Sequence, residues 1–125
     1  MSSRPSSSGD PATTRQFPVH RDPRGELVVV EGADLDFAVR RVFVVSGTDG
    51  GGPRGGHHAE CTELVVLVSG SATLSLGTPR GDEQHVLSTP GESVTIAAGD
   101  HVGYQLDGSG SVILVLCDQP FGSHA

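Results

Sequence analysis

Lysine, asparagine and tryptophan are absent from the 125 residues, methionine and tyrosine occur once each, and aromatics make up only 4%. All eight basic residues are therefore arginines, and 15 acidic residues outnumber them to give a formal net charge of −7. The missing lysine and asparagine accompany a bias toward Ala, Gly, Val, Arg and Asp, as codon usage produces, and carry no functional signal. The shortage of positive charge does carry one. A duplex binder needs a basic patch against phosphates, and the nearest candidate, Arg40-Arg41, lies inside a strand-like run. Nucleic acid is excluded as a partner, while a phosphorylated small molecule, which needs one or two arginines, stays open. The two cysteines, Cys61 and Cys117, form no C-x-x-C. Met1 to Thr14 lacks the apolar core of a secretory signal. No apolar run nears the roughly 20 residues of a membrane helix. The expectation is a cytoplasmic chain with free thiols and no membrane partner.

What is present is turn chemistry. Eighteen glycines and eight prolines punctuate short apolar runs. Residues 1–15 (MSSRPSSSGDPATTR) cannot bury apolar surface and are expected to be a disordered tail before one domain, 16–125. The runs are Glu26–Val30, Phe37–Ser46, Glu63–Val68, Ala72–Leu76, Gln84–Leu87, Ser93–Ala97, His101–Leu106 and Ser111–Cys117. Several alternate with period two, as in SATLSL and ESVTIA, and none follows a 3.6-residue period. The pattern predicts an all-β fold, closed as a single jelly-roll barrel that hides its edges and leaves room for one small ligand. In Phe37–Val45, one face carries Phe37, Val39, Arg41, Phe43 and Val45. An arginine on an apolar face reaches solvent by its long stem, or requires an interior carboxylate or an anionic ligand.

Pro53–Gly70 concentrates the titratable groups, with His57, His58, Glu60 and Glu63 within seven residues. The spacing His58, four residues, Glu63, six residues, Gly70 resembles the second half of the first cupin motif, G-x5-H-x-H-x3-4-E-x6-G. The histidines here are adjacent rather than one residue apart. Neighbours on an extended strand point to opposite faces. His57 and His58 would thus share a metal only if a bulge, which Gly55-Gly56 permits, re-aimed one of them. Ala97-Ala98-Gly99-Asp100-His101 echoes the second cupin motif, and His58, Glu63 and His101 are a candidate facial triad. The adjacency favours a metal-free site and no cofactor.

A narrower resemblance spans residues 20 to 118. Asp22-Pro-Arg24-Gly25-Glu-Leu27, Arg40-Arg41-Val42-Phe43, Pro53-Arg54-Gly55-Gly56-His57, Val68-Ser69-Gly70-Ser71 and Val112–Cys117 are similar to segments of the sugar-nucleotide 3,4-ketoisomerases, the WxcM-like cupins. That resemblance implies a homodimer and a dTDP-4-keto-6-deoxyglucose-like substrate. It also implies two histidines of an H-A-H segment serving as acid and base rather than as metal ligands. His57 and His58 take those places if the intervening alanine is deleted; with a later gap, Ala59 replaces the second. The family's late tryptophan is missing, and the chain stops at Ala125, before the family's Tyr- and Asp-rich tail. Histidine suits both proton steps because its pKa lies near 7. Arg41 and Arg54 are candidates for the diphosphate, Glu63 or Asp100 for orienting an imidazole, and His101 and Tyr104 for lining the site. Cys61 and Cys117 are expected to be small core residues. Two other readings remain open: a repurposed cupin that cyclises or isomerises a polyketide-like substrate, and a non-catalytic binding cupin.

Overall fold

The computed structural model describes residues 13–122. Their alternating sequence builds β1 (Thr13–Gln16), β2 (Val19–Asp22), β3 (Gly25–Val28), β4 (Arg41–Ser46), β5 (Arg54–His58) and β6 (Glu63–Ser69). β7 (Ala72–Thr78), β8 (Gly81–Leu87), β9 (Glu92–Ile96), β10 (His101–Leu106) and β11 (Val112–Cys117) follow. One 3-10 turn, Gly32–Asp34, accompanies them. All strand pairs are antiparallel. Five strands lie in the order β1-β9-β6-β11-β4, four in the order β5-β10-β7-β8, and β2-β3 form a separate hairpin. From β4 to β11 the chain alternates between the two large sheets, except where β7 and β8 form a hairpin within one of them, a jelly-roll course, so the all-β expectation holds.

Two apolar layers explain the long uninterrupted run in β6. Val65 and Leu67 point between the large sheets, among Leu74, Leu76, Val94, Ile96, Val102, Ile113 and Val115. Leu64 and Val66 point the other way, joining Phe17 and Leu116 beneath Val28, Val30, Leu35 and Phe37. A strand covered on both faces loses its polar alternation. Each of these side chains contributes about 1.5–3 kcal/mol on leaving water.

Several boundaries differ from the sequence expectation, among them β2 (Val19–Asp22), which falls in none of the expected runs, and β8, which begins at Gly81 rather than Gln84. The expected tail lies outside the described residues as far as residue 12, but Thr13–Gln16 pair with β9 as a strand. The strand expected from Phe37 begins at Arg41 instead. Phe37 then covers the outer layer rather than sharing a face with Arg41. Arg54–His58, poor in β-branched residues, becomes β5 because β10 supplies its hydrogen-bond partners.

Two glycines matter for the geometry. Gly56 takes a φ of +75° and is the extra residue where the β5–β10 register steps between Val102 and Gly103. This is a bulge whose left-handed backbone only glycine adopts readily. Gly70 (φ +72°) ends β6 against Ser111, where a Cβ would collide with the serine.

Candidate active site

The register of three strands sets an ionisable row inside the barrel. Cys117 of β11 lies opposite Arg41 on one side and opposite Glu63 on the other. Directly paired residues share a face, so Arg41, Cys117 and Glu63 stand abreast. Cys61, two residues before Glu63, is buried beside them. From the facing sheet, the Tyr104 hydroxyl donates to Glu63 Oε1 at 3.2 Å.

The same pairing rule separates the two histidines. His57 lies opposite Val102, a core residue, and therefore on the inner side, where its charge bears on Glu63. His58 lies opposite His101 on the outer side. The two rings meet edge to face with centroids 5.2 Å apart, and His58 Nδ1 is 3.1 Å from the Gly99 carbonyl. The Gly56 bulge lies before both histidines, so it re-aims neither relative to the other. His58, Glu63 and His101 consequently do not converge on one ion. The described His, Cys, Asp and Glu groups that do close on a common point are Cys61, Glu63 and Cys117.

Burial dominates the electrostatics of this row. It raises the Glu63 carboxyl above its ordinary pKa, against the opposing pull of the Tyr104 hydrogen bond, His57 and Arg41. Burial, with the Glu63 charge, also pushes the Tyr104 phenol upward. Burial raises the Cys61 thiol, and burial followed by the charges of Cys61 and Glu63 pushes Cys117 up to about 12. The phenol and both thiols are thus neutral at physiological pH, and the carboxyl holds its proton longer than an exposed glutamate does.

Arg41 is held differently. Its guanidinium carbon lies 4.7 Å from the Phe43 ring centroid and 5.0 Å from that of Phe121, the geometry of cation–π contact. Among the described residues no carboxylate pairs with it. Phe121 reaches this place because the chain after β11 folds along the turn before β6. Thr62 N donates to Asp118 Oδ1 (3.1 Å), Asp118 N to the Thr62 carbonyl (3.2 Å), and Gly122 N to Glu60 Oε1 (3.3 Å). Its ring remains 76% exposed. Arg54 faces the same side as Tyr104 and lines a cavity of about 80 Å³ with Ser46, Thr48 and Leu106. Asp100 is buried beside β10, its carbonyl accepting from Ala59 N, with no contact to either imidazole shown. A larger cavity of about 440 Å³, between β8 and the β1–β9 edge, includes none of the residues expected from sequence. Phe121 and the closeness of the two thiols were not legible beforehand; β6 and β11 are continuous apolar runs whose sequence gives neither the inner face nor the register between strands.

The family model FdtA, described as WxcM-like, C-terminal, matches residues 11–124. The chain belongs to this family. No curated protein matches it significantly. Among solved structures, this FdtA-family chain is similar to the 3,4-ketoisomerase QdtA from Thermoanaerobacterium thermosaccharolyticum in complex with TDP-4-keto-6-deoxyglucose. That match has 22% identity and a TM-score of 0.78, and covers 90% of this chain and 83% of that one. The TDP-quinovose 3,4-ketoisomerase WlaRB from Campylobacter jejuni matches with 25% identity and a TM-score of 0.76, over 91% of this chain and 89% of that one. The 3'-monoepimerase ChmJ from Streptomyces bikiniensis, in complex with dTDP-quinovose, matches at 21% identity and a TM-score of 0.74, covering 89% and 65% of the two chains. The fold expected from the cupin resemblance is thus the fold found. No helix among the described residues is long and apolar enough to cross a membrane.

Proposed function

We propose that this FdtA-family chain is an isomerase of a nucleotide-linked 4-keto-6-deoxy sugar, moving the carbonyl between C4 and C3 by proton transfer through His57. The observation that carries the reading is His57 on the inner side of β5, its charge felt by a buried carboxyl that Tyr104 holds. The fold shared with sugar ketoisomerases and an epimerase supports the substrate class.

The chemistry follows from the row of groups. A neutral imidazole takes the C3 proton, which the adjacent C4 carbonyl makes acidic. The electron pair moves onto the carbonyl oxygen, where a neutral hydroxyl or carboxyl hydrogen-bonds the developing charge. Tyr104 and Glu63, whose carboxyl burial makes a weaker acid, suit that role. The enediol then loses its O3 proton and accepts one at C4. Arg41, charged and held over two rings, meets the diphosphate, with Arg54 further along the same side. The exposed Phe121 ring offers the stacking face that the missing tryptophan would otherwise supply. No cofactor enters, and His58, outside with His101, steadies the Gly99 turn. The working unit is a cytoplasmic homodimer. The outward Val42 and Val44 of edge strand β4, 52% and 60% exposed, supply an apolar stripe that a second copy covers. Sedimentation at micromolar concentration tests the dimer, and a strict monomer overturns it.

The direct test is incubation with TDP-4-keto-6-deoxyglucose carrying deuterium at C3, followed by nuclear magnetic resonance. Formation of the 3-keto sugar with part of the label carried to C4 is expected, because one inner base serves both carbons. No conversion overturns the isomerase reading. Conversion with complete washout of the label would mean that the base exchanges with solvent before redelivery or that a second group returns the proton, and the His57 variant separates the two.

A further inference from the structure

Two thiols that the proton-transfer scheme does not use, Cys61 and Cys117, stand against the Glu63 carboxyl that it does use. Cys61, Glu63 and Cys117 are 7%, 5% and 0% exposed, and one ligand atom from each lies within 4.8 Å of the other two. Aliphatic side chains fill the inner positions farther along the same strands, at Val65, Val115 and Ile113. Here, three groups that ligate metals close on one point.

We propose that Cys61, Glu63 and Cys117 form a binding site for a thiophilic d10 cation, Zn²⁺ in the first instance. Tetrahedral zinc bonds sulfur at about 2.3 Å and carboxylate oxygen at about 2.0–2.2 Å. Ligand atoms around one such ion therefore sit about 3.3–3.8 Å apart, inside the separation found. The strand pairing holds the frame: Glu63 and Cys117 are opposite each other in the β6–β11 ladder, and Cys61 is two residues before Glu63. Two thiolates, a carboxylate and Zn²⁺ sum to one negative charge. The Arg41 guanidinium, opposite Cys117 in the next strand, balances it. Three protein ligands leave a fourth position for water or the Tyr104 hydroxyl, already 3.2 Å from Glu63. Loading releases both thiol protons to solvent, so apparent affinity falls as pH falls. On the isomerase reading, a coordinated Glu63 has no proton to donate, so the metal-loaded and proton-shuttling barrels are alternative states of one cavity.

The test uses the full chain, reduced and metal-stripped, titrated with Co²⁺ and then with Zn²⁺. One equivalent of Co²⁺ is expected to give an intense sulfur-to-cobalt charge-transfer band in the near ultraviolet with tetrahedral visible bands, and Zn²⁺ should bleach both. Cys61→Ser and Cys117→Ser should each lose most of the charge-transfer band, and Glu63→Gln should weaken binding at least tenfold while keeping the band. Circular dichroism of each variant verifies the fold, and the unmodified protein alone decides the matter if a variant fails to fold. Octahedral, sulfur-free cobalt spectra, no binding at micromolar ion, or retention of the band in either serine variant would overturn the site. A loss of two mass units with no cobalt binding, marking a Cys61–Cys117 disulfide, would overturn it as well.

Discussion

The inner and outer faces of β5 place two adjacent imidazoles in unlike surroundings. His57, paired with the core residue Val102, stands on the side of the buried Glu63 carboxyl, which its charge influences. His58 looks toward another exposed histidine and a turn carbonyl. One residue of displacement along an extended strand therefore sends the two exposed rings to opposite faces. On the proposed reading, strand parity rather than shared side-chain chemistry decides which imidazole reacts.

The comparison is broken most directly by substituting each histidine in turn. His57→Gln is expected to lower kcat by about 10²–10⁴-fold, the usual contribution of a positioned acid–base group. His58→Gln should stay within about tenfold of the unmodified enzyme. Equal losses from both, measured by steady-state kinetics, would erase the distinction between the faces. A smaller effect is expected on the inner side from Tyr104→Phe, which removes the donor to Glu63: kcat should fall about 10–100-fold. Combined with Glu63→Gln, it should cost less than the product of the single losses, because the two groups act as one hydrogen-bonded unit.

At the mouth, Phe121→Ala should raise KM roughly tenfold and leave kcat nearly unchanged, in line with about 1–3 kcal/mol for stacking a base on an aromatic ring. A fall in kcat with constant KM would instead make Phe121 part of the chemistry. The smallest expected effect concerns stability against pH. Burial raises the folded-state pKa of Glu63 above its ordinary value of 4.5. The folded chain then binds this proton more tightly than the unfolded one. The stabilisation is fully present below the unfolded pKa and is lost as pH rises through the folded one. Glu63→Gln, neutral throughout, should flatten that decline in urea midpoints measured from about pH 4 to 8 and be the more stable protein at the upper end. An unchanged slope would show that Glu63 ionises as freely folded as unfolded.

Much of this architecture was legible in the residues. Period-two runs announced the strands, and the alternation around Arg41 put it on the face of Phe43 and Val45, which the structure keeps inside. Phe37 escaped because the strand begins four residues later, and nothing in an apolar-rich stretch marks where pairing starts. β1 and β5 were hidden for a related reason: Thr-Thr-Arg-Gln carries no apolar residue to mark a buried face and Arg-Gly-Gly-His-His has little strand propensity, and their partners β9 and β10 supply the pairing. The meeting of Cys61 and Cys117 depends on the β6–β11 register, a non-local property that neither segment displays by itself. The homologous motifs pointed to both histidines together; only the pairing with Val102 and His101 sorts them.

The Gly56 bulge has a consequence for how this strand tolerates change in length. Arg54 and His57 are three residues apart, an odd count that would send them to opposite sides of a regular strand, yet both face inward. The bulge absorbs the odd residue. Deleting Gly56 would leave a regular ladder in which Arg54 and His57, then two residues apart, still share the inner face. Flattening the bulge with the residue kept would instead turn one end of β5 inside out, exchanging His57 for His58 if the arginine end stayed in place. The glycine works as a parity bit: removing its codon trims the strand, whereas a side chain that resists the left-handed backbone threatens to recode the cavity.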